Sequence, residues 1–201
     1  RVIKTNMGGS FGGKQQPLLE FTAGAAAWIC KCPVLVYMDR EQSIIGTFSR
    51  NPTQVKIRTA VKKDGTILGR KVETLIDGGA YDTNNTSITN AYAKKLFRLY
   101  KIYNQEFHGR AYYTNGIPGG ACRAYGGPQS HAVSEINITN AAKKLGIDPC
   151  EFRLKNLVDP YDDDPVGGPN LGKAAVKECI IKGIETFDWK NKYNNIHKQN
   201  T

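Results

Sequence analysis

A chain of 201 residues can hold one sizeable core or two small ones, and 40 % hydrophobic residues with 21 glycines suit an α/β or α+β protein rich in turns. No apolar run approaches the roughly 20 residues of a membrane span. The net charge of +10 would allow nucleic-acid binding, but the basic residues are scattered (Lys62-Lys63, Lys94-Lys95, Lys143-Lys144 and the end of the chain), with no clustered, aromatic-interleaved stripe.

The chain starts on a strand-like lead, Arg1 to Asn6, followed by Gly8-Gly9-Ser10-Phe11-Gly12-Gly13-Lys14-Gln15. Glycine lets a ligand approach the backbone closely, and a glycine turn before a helix N-terminus presents N–H groups to anions. Gly8, Gly13 and Lys14 also fit a phosphate loop, but Gln15 stands where that motif needs a hydroxyl for Mg²⁺.

The spacing of Leu18, Leu19, Phe21, Ala25, Ala26 and Ile29 predicts a helix over 16–31, with Pro17 in its first turn and Pro33 as its stop. Val34 to Tyr37 reads as a short buried strand. Asp39 is placed to cap a helix through Gln42–Ile45, ended by Gly46. Residues 54–63 alternate, with Val55, Ile57, Thr59 and Val61 on one face. Asp64-Gly65 then signals a hairpin, and 66–77 return as a second strand with Ile67, Val72, Leu75 and Ile76. A helix is expected for 87–98 and a strand for 104–113.

A second glycine cluster, Gly119-Gly120-Ala121-Cys122-Arg123-Ala124-Tyr125-Gly126-Gly127, precedes a helix over 128–145 with Pro128 in its first turn. That helix is expected to face inward with Ala132, Val133, Ile136, Ala141 and Leu145, and to end at Gly146. Asp148-Pro149 should start a short helix carrying Phe152, Leu154 and Leu157. Residues 159–172 read as a loop whose Asp162-Asp163-Asp164 is a solvated turn, lacking the spacing of a calcium loop. A last helix covers 173–187, and a polar tail follows Trp189. This order gives an α+β fold with a mixed or antiparallel sheet and packed helices.

Neither a hydrolytic triad nor a set of metal-ligand spacings stands out among His108, His131, His197 and the five cysteines. Cys30, Cys32, Cys122, Cys150 and Cys179 are odd in number and show no disulfide framework, which suggests reduced, mostly buried thiols in the cytoplasm. Two glycine loops, each opening a helix, suggest one elongated ligand held from two sides.

The first loop resembles the Gly-Gly-x-Phe-Gly-Gly-Lys segment of the molybdenum hydroxylases, the xanthine dehydrogenase and aldehyde oxidase family. The second resembles their Arg-Gly-(Phe/Tyr)-Gly-x-Pro-Gln segment, with Ala124 for the usual glycine. Met38-Asp39-Arg40-Glu41, Asp77-Gly78-Gly79-Ala80-Tyr81 and Leu145-Gly146-Ile147-Asp148-Pro149 follow the family's order. The resemblance spans nearly the whole chain and is closest to the bacterial molybdenum-binding subunits. It implies that residues 1–201 are a fragment of a molybdopterin-binding region, with a core over about 1–188 and a tail over 189–201.

The resemblance further implies a hydroxylase of purines, related N-heterocycles or aldehydes that takes its oxygen from water. Its cofactor would be molybdenum–molybdopterin, plain or in the cytosine dinucleotide form. Iron–sulfur clusters and FAD would lie in partner subunits or domains, with no nucleic-acid or membrane partner. By the same likeness Gly8, Gly9, Phe11, Gly12 and Arg123 bind cofactor, and Phe11 and Arg123 lie beside the metal through their backbones. Gln15 and Tyr125 face a flat heteroaromatic substrate. Gln15 replaces a glutamate of animal enzymes, and their second substrate arginine, expected near Ala91, is absent. No catalytic residue is assigned: the general-base glutamate is expected beyond residue 201, so the fragment alone is expected to be inactive. Two other readings stand beside this one. A phosphate-loop nucleotide-binding protein would use Leu75-Ile76-Asp77 as a poor metal-binding strand, and a basic nucleic-acid-binding module would have no enzymatic role.

Overall fold

The computed structural model describes residues 1–193 and is α+β. Its elements in chain order are α1 (Glu20–Cys30), α2 (Arg40–Gly46), β1 (Thr53–Val61), β2 (Ile67–Asp77), α3 (Asn85–Phe97), β3 (Gln105–Tyr112), α4 (Gly127–Leu145), α5 (Pro149–Asn156) and α6 (Val176–Phe187). The sheet order is β1-β2-β3. β1 and β2 are antiparallel: Lys62 N donates to Thr66 O near the turn, and Asp77 N to Pro52 O at the far end. β3 runs parallel to β2, since Arg70 N reaches Asn104 O and Gly78 N reaches Tyr112 O at the same offset. The sheet is therefore mixed, with α3 as the crossover between its parallel strands.

β1 alternates along its whole length, with odd-numbered residues inward as expected. Asp64 holds the hairpin turn by accepting from the Thr66 amide and hydroxyl and pairing with Lys155. The Thr66 bonds, with Lys155, bring its carboxyl down to about 2. A carboxyl depressed in the folded state stabilises the fold above its unfolded pKa and loses that contribution as pH falls through the folded value. Local opening of the hairpin, read by hydrogen exchange at Thr66, should therefore increase between about pH 4 and pH 2. An Asp64→Asn variant should show no such change with pH.

The chain divides into two compact units. The first contains residues 1–55, 74–93 and 109–129; the second contains 56–73, 94–108 and the rest. The second unit's core joins Ile67, Tyr100, Ile102, Ile138, Ala142, Phe152 and Leu157. α5 starts where Asp148 accepts from the Cys150 and Glu151 amides, with Pro149 at its first position. Gly146 ends α4 with φ +68°.

Several expectations are corrected. No strand forms over 1–6 or 34–37, and Leu35 and Tyr37 are exposed. α1 begins at Glu20, whose carboxylate accepts from the Leu18 and Leu19 amides, and it buries none of its residues. On β2 the apolar residues do not all share a face: Val72 and Ile76 are buried alongside Arg70 and Thr74, and Leu75 is exposed. On α4 the inward stripe is Ser130, Ser134, Ile138 and Ala142, while Ile136 and Ala132 face out. Ser134 is inward beside Arg70, whose guanidinium lies over the Tyr100 ring and donates to Ser134 Oγ at 3.0 Å. A buried cation needs an oxygen there, which Ser134 supplies, while the expected Ala141 and Leu145 do pack against the core beside Ile138 and Ala142. Asp164 is not solvated: its side chain is 5 % exposed and pairs with Arg98 at 2.8 Å. Lys101 binds both Asp159 and Asp162. The cysteines are free, but none is buried. Of the tail expected over 189–201, residues 194–201, with His197, lie outside the described residues.

Candidate functional site

Every candidate site residue belongs to the first unit. In the first loop, Ser10 closes a turn: its carbonyl accepts from Gly13 N at 2.9 Å and its hydroxyl from Lys14 N at 3.3 Å. The amides that a phosphate loop would offer to phosphate at Gly13 and Lys14 are thus engaged within the loop. Nor does this loop lie between a strand and a helix N-terminus, because residues 1–6 are not a strand and α1 begins only at Glu20. The phosphate-loop geometry is absent here.

The second loop opens α4 directly, as expected. Asn51 is buried beside it and donates to Asp77 O at 2.8 Å and to Asn85 Oδ1 at 2.9 Å. The carbonyl of Asn51 accepts from the side-chain amide Nε2 of Gln129. Asp77 is structural. It accepts from the Thr114 hydroxyl and the Gly79 amide, and those bonds lower its pKa, Thr114 most. Gly126, with φ +85°, has only ordinary contact room for a Cβ (3.4 Å) against Ile88 O and Tyr92 on α3. Burial raises the Tyr92 hydroxyl to about 12, so this floor of the loop is uncharged.

The two glycine loops lie against each other. A Cβ on Gly12 would sit 2.1 Å from Ala121 O and 2.8 Å from Cys122 N. The Arg123 guanidinium stands 5.3 Å from the centre of the Phe11 ring, within cation–π range. Phe11 and Arg123 are exposed, Gly9 and Gly12 are partly covered, and Gly8 is open. Tyr125 is half-buried. Gln15 is exposed, and no hydrogen bond joins it to the second loop among the described residues. Phe11 (φ +51°), Ala124 (φ +70°) and Tyr125 (φ +44°) all occupy left-handed backbone without being glycine. Such residues cost about 1–3 kcal/mol each and collect where a loop is held for function.

Comparison with known proteins identifies the arrangement. Residues 1–157 match the molybdopterin cofactor-binding domain. The chain belongs to that family. This molybdopterin cofactor-binding chain is 35 % identical to the xanthine dehydrogenase molybdenum-binding subunit of Escherichia coli over 193 residues, which is 96 % of this chain and 26 % of that subunit. It is 36 % identical to the aldehyde oxidoreductase of Megalodesulfovibrio gigas over 83 % of this chain and 18 % of that enzyme. Among solved structures, the aldehyde oxidoreductase of Desulfovibrio desulfuricans superposes with a TM-score of 0.85 at 28 % identity, covering 96 % of this chain and 21 % of that one. The chain therefore spans about a quarter or less of the length of these relatives.

Among the described residues, no group of three or more His, Cys, Asp or Glu could hold a metal ion. Among the same residues, no helix is long and apolar enough to cross a membrane. Local sequence reading missed Arg50 and Asn51, which the fold sets beneath the second loop. Their only signal was a position just before the alternating run of β1.

Proposed function

We propose that residues 1–201 belong to the molybdenum-cofactor-binding subunit of an oxidoreductase that hydroxylates purines, related N-heterocycles or aldehydes. The observation that carries this reading is the packing of Gly12 on the Ala121–Cys122 backbone, which sets Phe11 and Arg123 of two separate motifs face to face. The residues present fit the group. The Gly8–Gly12 stretch of the first loop is exposed at Gly8 and Phe11 and only partly covered at Gly9, Ser10 and Gly12, so its backbone can be approached by a bulky group. Gly8, Gly9, Phe11, Gly12 and Arg123 would hold the cofactor, with Phe11 and Arg123 beside the metal. When bound, molybdenum–molybdopterin, plain or as the cytosine dinucleotide, supplies the two-electron oxidation, with water as oxygen source. Gln15 donates or accepts a hydrogen bond without charge, and Tyr125 offers a ring face to a flat substrate. Iron–sulfur and FAD subunits or domains would take the electrons, and the assembly would be cytoplasmic.

Tyr125→Ala in the intact enzyme tests the substrate side. An aromatic stack is worth about 0.5–1.5 kcal/mol, so kcat/KM for purine-like substrates should fall about tenfold relative to a small aldehyde. The melting temperature should stay near the wild-type value, because the ring is only half-buried. A large fall in melting temperature with unchanged relative rates would make Tyr125 a packing residue instead.

A further inference from the structure

Arg50 lies in the stretch between α2 and β1, and its guanidinium makes three contacts, all to the second loop or the start of α4. It donates to Arg123 O at 2.8 Å, to Cys122 Sγ at 3.1 Å and to Gln129 Oε1 at 3.3 Å. Its own segment is pinned next to that loop, since Ser49 N donates to Pro118 O and Gly120 N to Ser49 O. None of its acceptors is a carboxylate, and neither Arg50 nor Arg123 takes part in an ion pair among the described residues. The cation is thus not neutralised there; its donors are turned to the shape of a loop.

That loop needs an outside hold. Ala124 and Tyr125 follow one another in left-handed backbone, which L-residues with a Cβ resist. Inside the loop, Tyr125 N donates to Cys122 O at 2.7 Å and Gly127 N to Ala124 O at 2.8 Å. Arg50 grips the residues on the N-terminal side of the strained pair and, through Gln129, the helix on its other side. Arg123 is then held at both ends, its carbonyl by Arg50 and its guanidinium over Phe11.

We propose that Arg50 is the positioning residue of the second loop. Acting through the Arg123 carbonyl, it keeps Ala124 and Tyr125 in their left-handed backbone and so decides where the Arg123–Tyr125 segment meets its ligands. The proposal deepens the reading of this loop as part of a cofactor and substrate site. A lysine replaces it only in part, because a point charge does not span three acceptors as a planar fork does.

The test uses the complete enzyme with Arg50→Lys and Arg50→Ala. Hydrogen exchange is followed at 122–127, together with molybdenum per subunit, kcat and KM. Hydrogen bonds to a charged group are strong enough that Arg50→Ala should speed exchange in this loop by about tenfold or more. Exchange in β1 and β2 should be unchanged, and kcat should drop by about tenfold with little change in KM. Added guanidinium at millimolar concentration should restore part of the loss in Arg50→Ala, and Arg50→Lys should fall between it and wild type. Unchanged exchange in the loop, or an equal rise throughout the chain, overturns the proposal. Faster loop exchange in a protein whose wild type carries no molybdenum keeps Arg50 as positioning residue and overturns the cofactor reading. A loaded wild type with unchanged loop exchange in Arg50→Ala does the reverse.

Discussion

Gly12→Ala should separate the two glycine loops and leave the intact enzyme with little bound molybdenum. At φ +102° a residue with a Cβ is strained, and that atom would lie 2.1 Å from Ala121 O and 2.4 Å from Ala121 C. Both are backbone atoms, so no rotamer change relieves the clash. Strain of about 1–3 kcal/mol adds to overpacking of about 1–3 kcal/mol. The protein can avoid that combined penalty by letting the exposed first loop move away, which also breaks the Phe11–Arg123 contact. Site geometry is lost while the second unit's core stays intact. A penalty of about 3 kcal/mol corresponds to roughly a hundredfold loss of kcat/KM, with a much smaller change in melting temperature. Elemental analysis and steady-state kinetics on the purified variant decide it. Wild-type molybdenum content together with wild-type kcat/KM would show that the loops need not touch.

Phe152→Ala should have the opposite signature, a large stability loss that arises far in sequence from the two loops. Phe152 is 1 % exposed and joins the cluster of Tyr100, Ile102, Ile138 and Leu157. Truncating a buried phenylalanine costs about 3–5 kcal/mol, part of it for the cavity left behind. For a chain of this size that is a melting temperature lower by about 10 °C. Ile136→Ala is the control, because Ile136 is 62 % exposed on the outer face of α4. It should change stability by less than about 0.5 kcal/mol. Calorimetry that ranked Ile136 above Phe152 would mean that α4 turns its other face inward.

Much of the local structure is legible in residue order. The alternation of β1, the Asp64-Gly65 turn and the caps of α2 and α5 are signals carried by neighbours a few residues apart. Asp39 and Gln42 even form the reciprocal capping box, each side chain bonding the other's backbone. The misreadings are places where a side chain's fate depends on a distant partner. Val34 to Tyr37 and α1 are apolar, but burial requires a surface to pack against, and none of α1 is buried. α4 turns Ser134 inward, where the buried Arg70 of another element donates to it. Asp164 is covered because Arg98 reaches it.

At the candidate site the same division holds. Residue order alone tells which segments are glycine loops, which family they resemble and that a hairpin precedes the second of them. Those properties rest on residue types and short spacings, which act through local backbone conformation. The folded chain adds that Gly12 lies on the Ala121–Cys122 backbone, that Arg123 lies over Phe11 and that Arg50 grips the second loop from a third segment. Such contacts join parts of the chain far apart in sequence. They form only after the intervening elements have packed and offset the entropy of closing long loops, and no local pattern encodes that balance.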